Sequence, residues 1–309
     1  MKPGLASKAG TLFALLCFLG ATTPGRAQPA ENNVAAGTQG QTPPDLASTP
    51  TDLKTPQTVA GEPAAGRRVR QITPGYESTQ VHHTLYLPSN WQTNHSYPVI
   101  VEYAGNGKYN NKYGDSCSGT VEGCNLGYGI SGGSNYLWVC MPFVEVAAAG
   151  KRNATTWWGD VDETIAYCTN TLGFLCQRFG GNTDAIILTG FSRGAIACNY
   201  IGLHDDRIAS LWRAFIPCSH YDGVITNWPY PGADRESALV RLGRLAGRPQ
   251  FICQEGSTRA TEDWLRSVGA KARFTFAELP FRNHSDQWVL RDVSARRAVR
   301  QWLRDLGLP

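Results

Sequence analysis

The sequence predicts a three-layer α/β sandwich, a mostly parallel central sheet with helices on both faces. Three features carry that expectation. The run "YPVIVEY", Tyr97–Tyr103, is almost continuously apolar, as a strand buried on both faces should be. The stretch "DVDETIAYCTNTLGFLCQRF" instead spaces its apolar residues by threes and fours, through Val161, Ile165, Cys168, Leu172, Leu175 and Phe179. Strand-like and helix-like segments then alternate to the end of the chain, the pattern of a parallel sheet covered by right-handed crossover helices.

The elements follow in order. "VHHTLYLP" alternates as a strand does. Tyr97–Tyr103 is the first fully buried strand, and it runs into the Gly-rich loop "AGNGKYNN". "NLGYGISGG" reads as a flexible stretch with no assigned chemistry, and "YLWVCMPFV" as another buried strand. The amphipathic helix has acids in its first turn and stops at Gly180-Gly181. "DAIILTG" is a strand and "AIACNYIGL" a helix. Strands follow at "LWRAFIPC", "RPQFICQ" and "ARFTFAELP", with helices over 235–245 and 261–268 between them. In the closing "SARRAVRQWLRDLG", Val293, Val299, Trp302, Leu303 and Leu306 form the buried stripe and the arginines a solvated face.

Ahead of these elements lie two segments of different character. Lys2 and Lys8 precede the short apolar run "TLFALLCFLGA", and Gly25 and Ala27 offer small residues before a cut after Ala27. The run is about half the ~20 residues of a bilayer span, so 1–27 reads as a secretory signal peptide. Residues 28–66 are rich in Pro, Gly, Ala, Thr and Gln without aromatics, the composition of a flexible linker. The folded domain is therefore expected over 67–309, in a secreted or periplasmic protein with no membrane attachment after signal cleavage. Loss of 1–27 removes Lys2, Lys8 and Arg26 and no acid, leaving 26 basic against 25 acidic residues. That near-neutral balance is no footprint for nucleic acid.

Cys17 leaves with the signal, and eight cysteines remain. An even number in an exported chain permits disulfides. Cys117 and Cys124 bracket the small loop "SGTVEG" and form the expected pair. Cys168 and Cys176 lie in one helical pattern, where eight residues span about 12 Å, beyond the ~7 Å reach of a bridge. No C-x-x-C pair occurs, and no metal or cofactor is implied.

The chemistry concentrates in "LTGFSRGAIAC". A buried strand, a Gly-x-Ser-x-Gly turn and an immediate helix make the nucleophile-elbow arrangement, which lifts the serine above the sheet. Gly190 and Gly194 let strand and helix backbones approach. Ser192 is the candidate nucleophile, and a serine hydroxyl needs an adjacent base. His284, in "LPFRNHSDQW" after the last strand, stands where the chain order Ser, acid, His places that base. His82, His83, His95 and His204 lie in less suitable places. The acid stays open between Glu255, at the end of "RPQFICQ", and Asp222, after the preceding strand, with Asp263 third. The oxyanion donors expected are the backbone N–H groups of Arg193, after the nucleophile, and Asn106, in "AGNG". Trp157 and Trp158, in "NATTWWGD", either stack on a substrate sugar or aromatic group or pack the following helix against the core.

These pieces in this order resemble the α/β-hydrolase superfamily over 67–309. The carrying stretches are "YPVIVEYAGNG", "LTGFSRGA" and "LPFRNH". The chain looks most similar to secreted bacterial esterases of the feruloyl-esterase and polyester-depolymerase kind. The resemblance implies a three-layer α/β-hydrolase sandwich and cleavage of esters in small molecules or polymers, plant or polysaccharide-linked esters among them. The sequence departs from that family at the usual acid turn, which reads "EGSTRATEDW". A serine peptidase on the same fold, and a non-catalytic carbohydrate-binding or interaction protein, are the competing readings.

Overall fold

A computed structural model describes Met1 and residues 43–309 of the chain. The expected signal peptide, Met1 apart, and residues 28–42 of the expected linker lie outside the described residues.

Nine strands form the main sheet: β1 Thr58–Val59, β2 Arg68–Gln71, β3 His83–Tyr86, β4 Tyr97–Tyr103, β5 Leu137–Met141, β6 Gly181–Phe191, β7 Ala214–Cys218, β8 Gln250–Glu255 and β9 Phe274–Leu279. Their spatial order is β1-β2-β3-β5-β4-β6-β7-β8-β9. β3 runs antiparallel to β2 and β5, and every other pairing is parallel. Among the described residues, seven α-helices connect and cover them: α1 Leu126–Ser131, α2 Val161–Phe179, α3 Arg193–Tyr200, α4 Asp206–Ala209, α5 Arg235–Gly243, α6 Arg259–Ser267 and α7 Ser294–Asp305.

Alternation along the strands splits the core in two. Val99, Val101, Leu137, Val139, Ile186 and Leu188 face a layer containing α2, α3, α5 and α6. Ile100, Trp138, Cys140, Ile187 and Ile216 face the opposite layer, where α1 and α7 contribute Leu126, Ile130, Val299 and Leu303. The result is the three-layer sandwich expected from the alternation of elements. The register aligns the C-terminal ends of the parallel strands: Gly190 pairs with Tyr103, Phe191 with Cys218, and Cys218 with Cys253. Ligands of open α/β sheets bind beyond those ends.

Four expectations need correction. Residues 43–66 do not behave as a flexible linker. They contain a short 3₁₀ turn, Leu46–Ser48, and β1, and Leu46 is buried. Specific polar contacts replace the missing aromatics there. "NLGYGISGG" contains α1, although glycine is a poor helix former. A Cβ on Gly127 would overlap the Trp138 ring, and one on Gly129 would overlap Val289, so close packing explains those glycines. Cys117 and Cys124 are both free, and the disulfide joins Cys218 to Cys253 on adjacent strands, with Cα atoms 4.8 Å apart. Cys117 lies instead in a small hairpin, Tyr109–Asn110 with Ser116–Cys117, and its sulfur lies against Gly105. Finally, Arg296 of α7 is 3% exposed rather than solvated, and it pairs with Asp52.

Candidate active site

Ser192 stands between β6 and α3 with φ +55°, a left-handed value unusual for a residue with a Cβ. Conformations of this kind cost of order 1–3 kcal/mol and persist where surroundings enforce them. The enforcement is visible here. Ser192 N–H donates to Cys218 O at 2.8 Å, and Ala195 N–H donates back to Ser192 O at 2.9 Å. A Cβ on Gly194 would overlap Tyr103 O, and one on Gly190 would overlap the Gly194 backbone. The turn that lifts Ser192 therefore depends on both glycines.

His284 comes from the loop after β9. Its Nε2 lies 3.0 Å from Ser192 Oγ. Its Nδ1 lies 3.4 Å from Glu255 Oε1 at the end of β8. Ser219, at the end of β7 with φ +84°, donates its hydroxyl to the same Glu255 oxygen at 2.6 Å. Burial alone would lower the His284 pKa. The Glu255 charge and hydrogen bond outweigh it, and the imidazole ends above its ordinary value. Burial likewise pushes the Glu255 carboxyl up, but the His284 charge and the hydrogen bonds from His284 and Ser219 bring it below the usual carboxylate range. The opposite shifts describe an imidazole and a carboxylate that favour the charged pair.

The other candidate acids are engaged elsewhere. Asp222 receives Arg241 Nε at 2.7 Å and Arg241 Nη2 at 2.9 Å, so both its oxygens are committed to one buried guanidinium. Asp263, on α6, pairs with Arg266 at 2.9 Å among exposed side chains. Asp286, two residues past His284, accepts from Asn125 N–H at 3.1 Å and Asn125 Nδ2 at 3.0 Å. Burial, then the nearby Glu102 charge, raises its pKa to about 7.

Arg193 is the first residue of α3, where opening N–H groups lack intrahelical acceptors. Asn106 lies just past β4, and its side-chain oxygen accepts from Trp157 N–H at 2.8 Å. Among the described residues the Asn106 backbone N–H donates to no acceptor. The Arg193 side chain is buried without a carboxylate partner among the described residues. It stacks over Phe143 at 4.1 Å and donates to Trp157 O at 2.5 Å. Burial lowers its pKa to about 9.

The two neighbouring tryptophans separate. Trp158 is 3% exposed and stacked on Tyr200, with ring centroids 4.5 Å apart, so it packs the core and has no face for a substrate. Trp157 is half-buried and lies against Trp228 at 5.5 Å and Tyr230 at 5.2 Å. His220 links that aromatic group to the serine and histidine. Its ring centroid is 5.6 Å from Trp228 and 5.1 Å from His284. Burial, then the His284 charge, lowers its pKa to about 3, so it stays neutral. Sequence reading missed Ser219, His220 and Trp228. The usable signal was position: Ser219 and His220 directly follow a buried parallel strand.

One cluster elsewhere offers metal-type donors: Glu102, Cys124 and Cys140, all within 4.8 Å of one another. Glu102 already accepts from the N–H groups of Asn125, Leu126 and Gly127 and from Trp138 Nε1. Arg68 donates to Cys140 Sγ at 3.3 Å. Committed acceptors and an adjacent guanidinium make this a poor cation site.

No protein-family model matches the chain. No curated protein matches it either. Solved structures do. Thermogutta terrifontis esterase 2 in its apo form superposes with a TM-score of 0.52 at 13% identity, over 77% of this chain and 94% of that one. A Bacteroides ovatus protein, provisionally named as a dipeptidyl aminopeptidase IV, gives 0.51 at 14% identity over 77% of this chain. This chain spans only about a third of that protein, 35%. At these identities the likeness establishes the fold, which is that of the α/β-hydrolases. No helix among the described residues is long and apolar enough to cross a membrane.

Proposed function

We propose that this chain is a serine hydrolase of carboxylic esters, with Ser192 as nucleophile, His284 as general base and acid, and Glu255 as the orienting carboxylate. One observation carries the reading. A single imidazole lies 3.0 Å from the Ser192 hydroxyl through Nε2 and 3.4 Å from the Glu255 carboxylate through Nδ1. That is the constellation by which serine hydrolases are recognised irrespective of chain position.

In this mechanism His284 Nε2 takes the proton as Ser192 Oγ attacks the ester carbonyl. Glu255 stabilises the imidazolium that forms. The N–H groups of Arg193 and Asn106 receive the oxyanion, where fixed dipoles need no reorganisation. Collapse expels the alcohol, protonated by His284, and leaves an acyl-enzyme on Ser192. Water, deprotonated by His284, then releases the acid and restores the serine. Trp157 and Trp228 give the acyl or alcohol group an aromatic surface, which suits the plant, polysaccharide-linked or polyester substrates implied by the sequence resemblance. The first 27 residues support export as the setting.

A panel of p-nitrophenyl esters beside a panel of peptide amides tests the reading. Wild type should cleave short esters, and Ser192→Ala should lose ~10⁶-fold in kcat if the three residues act as a unit. Cleavage confined to peptides would favour a peptidase on this fold. Ester turnover unchanged in Ser192→Ala would contradict the assignment.

A further inference from the structure

His284 sits in a loop that follows an edge strand, where the chain has little sheet to hold it. The segment preceding the hydrolase core supplies the missing constraint. Leu46 N–H donates to Asn283 Oδ1 at 2.6 Å, one residue before His284. Arg282 N–H donates to Pro44 O at 3.2 Å, and the Arg282 guanidinium pairs with Asp45. Arg291 Nε donates to Leu46 O at 2.9 Å and Thr49 O at 2.7 Å. The N–H groups of Asp52 and Leu53 both donate to Leu290 O, at 3.1 and 3.2 Å. Arg296 Nη1 donates to Asp52 Oδ1 at 2.7 Å. All of these partners fall between 282 and 296, around the histidine.

The opposite side of the loop is held by the small hairpin. Asp115 Oδ1 accepts from His284 N–H at 2.8 Å, and Ser116 N–H donates to His284 O at 3.2 Å. Asn283 touches both sides. Its Oδ1 accepts from Leu46, and its Nδ2 donates to Tyr113 O at 2.6 Å. Its side chain is buried, so neither contact is replaced by bulk water.

We propose that residues 44–53 are a strap that positions the catalytic histidine, acting on it through Asn283 and the 282–296 backbone. The strap touches neither substrate nor the reacting atoms. Leu46, buried against the same side of the sheet as Phe281, Trp288 and Leu290, anchors it. A serine–imidazole contact depends steeply on placement: a misplacement of about 1 Å can cost about 10²-fold in rate. The inference rests on the Ser192–His284–Glu255 reading.

The test uses the full chain carrying Leu46→Asp, with Leu46→Met as the conservative control. Amide hydrogen exchange is followed over 281–291 and over β4, beside kcat, KM and the pH–rate profile on a p-nitrophenyl ester. Leu46→Asp should raise exchange in 281–291 while β4 stays protected. Its kcat should fall by about 10- to 100-fold, more than KM changes. The profile midpoint should also shift down as the Glu255 contact loosens, and Leu46→Met should restore all three readouts. Should Leu46→Asp not fold, the surface pair Asp45→Asn with Asp52→Asn should move the same readouts in the same directions. Faster exchange with kcat and midpoint unchanged would overturn the positioning role, and unchanged exchange would overturn the strap. A folded wild type inactive on every ester would instead contradict the ester reading, with the exchange data still judging the strap.

Discussion

His284 is poised between a hydroxyl and a carboxylate, and the carboxylate sets its basicity. As the proposed base, His284 must be neutral to accept the Ser192 proton. Its pKa is held above the ordinary 6.5 by Glu255, so activity should rise with pH through a midpoint above that value. Glu255→Gln removes the largest upward pull and leaves burial, which acts downward, against the smaller upward pulls of Asp115 and Asp286. The midpoint should then move to lower pH while kcat falls by ~10³–10⁴-fold, as when a triad acid is neutralised. A rate profile from pH 5 to 9 for both proteins checks the sign. Asp222→Asn should behave differently. It strands Arg241 in the core, so stability should fall by about 3–5 kcal/mol while the rate per folded site holds, which urea melts and active-site titration would separate. The proposed nucleophile and base, Ser192 and His284, were legible in sequence because a motif and a chain order mark them. That Glu255 rather than Asp222 faces His284 was not, because both follow strands and only direction separates them. His220 belongs to no motif, and its place directly after a parallel strand was its one signal in the sequence.

At the scale of elements, the elbow and α1 show glycine used for approach. Gly194→Ala would drive a methyl into Tyr103 O, so either α3 or the end of β4 must shift. The variant should melt lower and take up an active-site probe far more slowly, measured by thermal unfolding and labelling rate. The periodic elements were readable from hydrophobic spacing, α2 best of all. Its Gly180 stop coincides with the residue chosen by pattern, and its Asp160 cap accepts from Glu163 N–H. α1 escaped because composition argues against a helix there and only packing against Trp138 and Val289 argues for it. Residues 44–53 escaped because their order comes from hydrogen bonds to partners more than two hundred residues away, as from Leu46 to Asn283. No local window contains that information.

Over the whole molecule, the site gathers residues from the C-terminal ends of β6, β7, β8 and β9, and one covalent bond ties two of those strands. Cys218 supports Ser192 through its carbonyl, and Cys253 precedes Glu255 by two residues. A bridge closing a loop of this length should contribute about 3–4 kcal/mol by chain entropy. Reductant should therefore lower the melting temperature. Alkylation in denaturant should find Cys117, Cys124, Cys140, Cys168, Cys176 and Cys198 free, whereas a Cys117–Cys124 bridge would contradict the fold described. The central claim is that Ser192 is a nucleophile activated by His284. Its most direct test is a fluorophosphonate probe followed by peptide mass mapping. Wild type should carry one adduct, on Ser192, that Ser192→Ala loses and His284→Ala acquires far more slowly. An adduct on another residue, or none on folded wild type, would contradict it.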